Sequence, residues 1–378
     1  MFSAGTDRAS APPGPLQPSD PAPDAAPSPP AGEAAAPRGR EKHRDPFFDN
    51  AKYLAIVLVG LGHAIGPLSQ GSRPVEAVYF FIYAFHMPAF VIMSGYFSRS
   101  FEARPAQIRR LVTGVAVPYL VFEVIYNLFM GWLNGDLSRP FTLLIPGYAL
   151  WFLAALFIWR ITTPVWKALR WPLPVALVIA ASAVVAEGIG PNFNLMRVLQ
   201  FLPFFVLGLQ LRPEHFELVR HRAVRVAALV VAPACLVAAY LAVPRVELGW
   251  FYRDNSAADL GAPAWYGVVM SLATFGCALV LTVCLYAWVP RRRTWFTALG
   301  AGTIAAYLLH VYPVLLARDL EVYSLSWMAT PLGPVVVTVV TVAGMSALCS
   351  PPVRRLFRPL MEPRLTWAFR REPAGRRD

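Results

Sequence analysis

The chain has 378 residues, of which 56% are hydrophobic and only 15% charged, with a mean hydropathy of +0.48. A soluble domain of this size carries more charge, so the composition excludes an ordinary water-soluble fold. The net charge of +12 does not point to nucleic acid, because the arginines sit in short segments between apolar runs and in the C-terminal tail, where they set membrane topology.

Residues 1–43 are rich in Pro, Ala, Ser and Gly and hold almost no large apolar side chain. Such a segment cannot bury enough surface to offset the entropy of ordering, so we expect a disordered cytoplasmic tail. No cleavable signal peptide is visible in it, and the first apolar run is expected to act as its own insertion signal.

From residue 44 the apolar runs recur at lengths of about 18 to 25 residues, which is what crossing a hydrocarbon core takes. We expect an all-α, polytopic helical bundle over 44–350 with ten spans, at roughly 49–69, 75–97, 110–132, 143–161, 172–188, 195–211, 224–243, 264–289, 298–317 and 331–350. The connections alternate in charge. One side carries clusters such as Arg99, Arg104, Arg109 and Arg110, then Arg160, Lys167 and Arg170, then Arg291, Arg292 and Arg293. The other side carries only Arg73, Arg139, Arg245, Arg253 and Arg318. By the positive-inside rule both termini are cytoplasmic, as an even number of spans also requires. Residues 351–378 then form a basic cytoplasmic tail, and the longest outer connection is 244–263. Cys235, Cys277, Cys284 and Cys349 lack metal-type spacing and read as packing residues, so no metal site is expected.

Several ionisable residues interrupt the apolar runs. A fully charged side chain at mid-membrane costs roughly 2.5 to 3.5 kcal/mol on insertion scales, so these positions need a reason. Lys52 and His63 are eleven residues apart, about three turns plus 20°, and therefore share a helix face about 16 Å apart along the axis. Asp49 lies one turn before Lys52 on nearly the same face. His86 sits in the next span, two residues before Pro88, which removes a backbone hydrogen bond. Glu123 and Asn127 are spaced i, i+4, Arg197 marks the outer end of the sixth span, and His310 is a third membrane histidine near Pro313. Two histidines in consecutive spans point to a polar site between helices. A purely structural reading stands beside it: Asp49 pairs with Lys52, each histidine bonds a backbone carbonyl, and Glu123 and Asn127 satisfy each other.

The first span resembles the opening of membrane-bound acyltransferase family 3, which includes bacterial sugar O-acetyltransferases and fucose O-acetylase-like proteins. The hallmark is a basic residue, ten intervening positions, then histidine, which here runs from Lys52 to His63. FHMPAFVIMSGYF at 85–97 is similar to the family's second helix, and looser matches follow in order at 109–120, 150–160, 199–211 and 299–315. Lys52 stands where many members have arginine; it keeps the charge but not the two-pronged donor geometry.

The resemblance implies transfer of an acyl group, usually acetyl, from cytoplasmic acyl-CoA to a hydroxyl of a carbohydrate-like or cell-envelope acceptor at the plasma membrane of a bacterium. A hydroxyl is a poor nucleophile at neutral pH, and histidine is suited to serve as its general base. His63 is the first choice, with His86 orienting the substrate or stabilising the oxyanion, and a covalent acyl-histidine stays open. Lys52, Arg99, Arg109 and Arg110, at the cytoplasmic ends of the first three spans, are the candidates for binding the polyanionic donor. Asp49 and Glu123 are supporting polar groups. The expected partners are the bilayer, acyl-CoA and the acceptor, with no permanently bound cofactor and no nucleic acid. A transporter or flippase without covalent chemistry also fits many spans and proline-broken helices; the lack of an internal repeat and the clustering of polar groups in the first three spans weigh against it.

Overall fold

The computed structural model describes residues 45–138, 140–363, 365 and 367–369, together with Gly14. The tail expected over 1–43, the cations Arg44 and Arg139, and most of the basic tail after 363 lie outside the described residues. Every regular element among the described residues is helical. In chain order the principal helices are α1 (Pro46–Ser69), α2 (Arg73–Ser98), α3 (Pro105–Leu133), α4 (Trp151–Ile161), α5 (Pro172–Val185), α6 (Leu195–Gln210), α7 (Arg222–Ala242), α8 (Ala264–Trp288), α9 (Thr303–Leu309), α10 (Val311–Asp319), α11 (Leu332–Leu348) and α12 (Pro351–Met361).

Local chemistry sets several of these boundaries. The Asp45 carboxylate accepts the Phe47 N–H and Pro46 occupies the first turn, so α1 starts where a cap and a pre-set φ coincide. In α3 a π-helical stretch, Val112–Ala116, precedes Pro118, whose ring displaces the carbonyl four residues back.

Six stretches are long and apolar enough to cross a bilayer: α1, α2, α3, α6 with the 3-10 turn before it, α7 and α8. In α7 only 6% of the most apolar window is buried, with Leu229, Val230 and Leu241 facing outward. Apolar surface of that extent is solvated by lipid, and the protein is a membrane protein.

The other four of the ten expected spans are shorter or broken helices. The run at 143–161 is helical only from Trp151, which gives α4 11 residues, or about 16 Å. The run at 172–188 yields the 14 residues of α5, about 21 Å. The run at 298–317 divides into a 3-10 turn, α9 and α10, broken at His310. The run at 331–350 ends at Leu348, because Pro351 forces Ser350 into extended backbone; a 64° bend leads into α12, and the pair counts as one further crossing at most.

Helix α2 is central and packs on α1, α6, α7 and α8. Its contact with α6 is made at two glycines: a Cβ on Gly95 would run into the Phe205 carbonyl oxygen, and one on Gly208 into that of Ile92. Small residues let the two backbones touch, as membrane helices commonly do. Around this contact Ile56, Ala89, Val91, Phe204, Phe205 and Val206 form a fully buried core.

Candidate active site

The short turn between α1 and α2 brings the second half of α1 against the first half of α2. A cavity of about 870 Å³ opens at that end of the bundle. Its wall also takes Tyr148 from the turn before α4, Trp151 from the start of α4, Arg197 and Phe201 from α6, Tyr252 and Asp254 from the 244–263 connection, Tyr307 from α9 and Arg318 from α10.

His63 and His86 both line it. His63 Nδ1 lies 3.4 Å from the Tyr83 hydroxyl, at the outer limit of a hydrogen bond. Its ring centroid is 4.8 Å from that of Tyr148 and 5.3 Å from that of His310. His86 Nδ1 is 2.8 Å from the Ile82 carbonyl oxygen, one turn back in its own helix and two residues before the carbonyl that Pro88 leaves free. A carbonyl only accepts, so Nδ1 carries the proton, and in the neutral ring Nε2 of His86 is a lone-pair acceptor. The Tyr83 ring packs edge-on between them, 4.7 Å from His86.

The mouth of the cavity is polar. Arg197 Nη2 is 2.5 Å from Asp254 Oδ2, and its Nε donates to the Tyr252 carbonyl at 3.2 Å. Tyr79 and Tyr252 share a 2.9 Å hydroxyl–hydroxyl hydrogen bond. Burial, followed by that hydrogen bond, holds the Tyr252 phenol above the usual tyrosine range, so it acts as a neutral donor. The segment is fixed by its neighbour Arg253, which is buried in a left-handed conformation at φ 57°. Its Nη2 donates to Thr274 Oγ1 at 2.9 Å and its guanidinium lies over the Phe201 and Phe204 rings. Burial pushes Arg253 down to about 10, which still leaves it charged at neutral pH.

The other residues singled out from the sequence do not line this cavity. Lys52 Nζ pairs with Asp49 Oδ1 at 2.7 Å near the start of α1, about 16 Å along the helix from His63. Lys52 also lies 5.8 Å from the Phe97 ring, while Arg99 stacks 3.7 Å over Tyr96 and donates through Nη1 to the Leu211 carbonyl at 2.8 Å. Phe97 and Tyr96 are themselves in contact, so Lys52 and Arg99 flank one aromatic cluster at the end of the bundle opposite the cavity. Arg109 sits over Phe369, and Arg110 is exposed. Glu123 accepts the Asn127 side-chain amide at 2.9 Å and the Gly147 N–H at 2.9 Å; it fastens the stretch before α4 onto α3.

Tyr83, Tyr148, Tyr252 and Arg318 were not anticipated as site residues. Tyr79, Tyr83 and His86 fall at i, i+4, i+7 on one face of α2, a readable helical signal. Tyr148 and Tyr252 come from connections that carry no periodicity. Among the described residues no group of three His, Cys, Asp or Glu is placed to hold a metal ion. What the cavity offers is a pair of imidazoles under hydroxylated and cationic walls, suited to taking a proton from a bound hydroxyl.

A family of acyltransferase domains matches the chain over residues 45–349, from the cap of α1 to the end of α11. No curated protein and no solved structure gives a significant match.

Proposed function

The chain belongs to this acyltransferase family, and from that premise we propose that it moves an acyl group, acetyl in the simplest case, from acyl-CoA to a hydroxyl of a carbohydrate-like or cell-envelope acceptor at the plasma membrane of a bacterium. The observation that carries the proposal is His63, held by a single long hydrogen bond on the wall of a polar cavity large enough for a sugar-sized acceptor.

In this reading His63 takes the acceptor O–H proton while the oxygen attacks the thioester carbonyl. The C–S bond then breaks, and the coenzyme thiolate recovers the proton from His63. General base catalysis of this kind contributes about 10²–10⁴-fold. With its proton committed to the Ile82 carbonyl, neutral His86 has no N–H left for an oxyanion, so its Nε2 orients the acceptor hydroxyl. The Tyr83 hydroxyl, 3.4 Å from His63 Nδ1, and Tyr148, whose ring packs on His63, suit the oxyanion. The donor's phosphates are assigned to Lys52 and Arg99, with Arg109 and Arg110 further out, at the cytoplasmic end where both termini would lie. The thioester must then reach about 16 Å along α1, while the acceptor enters from the cavity mouth.

The test is free coenzyme A released by the purified chain in nanodiscs given acetyl-CoA and a cell-envelope extract. His63→Ala is expected to lower turnover by about 10²–10⁴-fold with an unchanged thermal melt. A folded mutant as active as wild type would move the base elsewhere. A wild type that neither releases nor binds coenzyme A would favour transport without covalent chemistry.

A further inference from the structure

His310 sits at the junction of α9 and α10 and is 2% exposed. Its Nδ1 lies 2.7 Å from the Tyr307 carbonyl and 3.0 Å from that of Ala306. Both are acceptors, so Nδ1 carries the proton, and in the neutral ring Nε2 presents a lone pair. That Nε2 is buried and has no hydrogen-bond partner among the described residues. A buried polar atom left unpaired costs about 1–3 kcal/mol, which calls for a partner supplied at some stage of function.

The surroundings narrow the choice of partner. On one side His310 borders a largely apolar groove of about 360 Å³; Tyr323, Trp327 and Thr341 on its wall carry side-chain donors, but none of them bonds Nε2. On the other side stands the His63 ring, 5.3 Å away between centroids and tilted by 36°. His63 is only loosely held by Tyr83 at 3.4 Å, so its ring has room to adjust beside His310.

We infer that His310 is a positioning residue for His63. When His63 holds the acceptor's proton, its N–H on the side away from the acceptor donates to Nε2 of His310. His310 thus plays toward His63 the part that a buried carboxylate plays toward a catalytic histidine, but as a neutral group suited to an apolar interior. The hydrogen bond strengthens as charge develops on His63, so it favours the proton-transferred state over the resting one. This assignment rests on the acyl-transfer reading above.

The experiment compares His310→Leu, which removes both nitrogens, with His310→Gln, which returns an acceptor oxygen near the place of Nε2. Both are made in the full chain in nanodiscs and assayed with acetyl-CoA and cell-envelope extract. His310→Leu is expected to lower kcat by about 10–100-fold with the KM for acetyl-CoA unchanged, and His310→Gln to recover most of the loss. A leucine variant with wild-type kcat would overturn the assignment while leaving acyl transfer intact. Equal losses in both variants, together with lowered thermal melts, would make His310 a packing residue and overturn it as well. A second measurement is independent of turnover: the ¹⁵N spectrum of histidine-labelled protein as the pH is lowered until His63 is protonated. The His310 Nε2 resonance should move in wild type and stay fixed in His63→Gln. A resonance that ignores His63 would overturn the pairing even if no acceptor is ever turned over.

Discussion

Lys52 and Glu123 show how differently two ionisable residues in apolar helices can be settled. Glu123 is 1% exposed and has its oxygens occupied by the Asn127 amide and the Gly147 N–H. Replacing it with leucine leaves the Gly147 N–H unpaired, while the Asn127 amide keeps its 2.8 Å bond to the backbone carbonyl of residue 123, and we expect a loss of about 1–3 kcal/mol, read as a lower thermal melt with kcat per folded molecule unaltered. Lys52 is partly exposed and its bond to Asp49 joins neighbouring turns of one helix, a type of pair worth only about 0.2–0.5 kcal/mol. Because Asp49 is only 8% exposed, Lys52→Met also strands a buried carboxylate and should lower the melt and, on the proposed donor assignment, raise the KM for acetyl-CoA. Among single residues, the spacing from Lys52 to His63 was legible because a helix converts eleven positions into a shared face. The Tyr148 ring packed on His63 was not, since it arrives from a turn at φ 46° before α4, and no periodic pattern announces it.

At the level of elements, the joint of α2 and α6 depends on the absence of two Cβ atoms. A methyl group on Gly208 would meet the Ile92 carbonyl oxygen and the Tyr96 N, both backbone atoms that cannot swing aside. Gly208→Ala should cost about 1–3 kcal/mol or more, measured as a lower thermal melt or a reduced folded yield in detergent. The 244–263 connection has its own fastening, in which Asp259 Oδ2 accepts the Ser256 N–H and hydroxyl, both at 2.8 Å. The backbone bond first, and the hydroxyl second, hold the Asp259 carboxyl below its usual range. A depressed carboxylate contributes stability above its unfolded pKa of about 3.9 and loses it as the pH falls through the lower folded value. Amide exchange at Ser256 should accordingly quicken only in that acid range, and a rate flat from pH 5 to pH 2 after correction for intrinsic exchange would contradict the turn. The sequence marked this segment as the longest outer connection, but not that Arg253 would bury itself against Phe201 and Phe204 and so aim Tyr252 and Asp254 into the cavity.

For the whole molecule the proposed topology puts 244–263 on the outer side and α12 on the cytoplasmic side. In sealed spheroplasts a membrane-impermeant maleimide should label Ala258→Cys and spare Arg355→Cys, two exposed positions in those segments; the reverse pattern would invert the bundle and the side from which the donor enters. The sequence by itself determined that the chain lives in a membrane, that its elements are helices, and that α1 carries a cation and a histidine in line, because hydropathy and helical period are properties of neighbours along the chain. It did not show how regular each apolar run is, because hydropathy does not reveal where Pro351 bends α11 into α12, where His310 interrupts α9 and α10, or that the stretch before Trp151 turns instead of winding. Only the tertiary structure decided the site. His63, Tyr148, Arg197, Tyr252, His310 and Arg318 come from distant parts of the chain, and they meet because the glycine contact of α2 with α6 and the anchoring of Arg253 and Glu123 fix helices and connections in space.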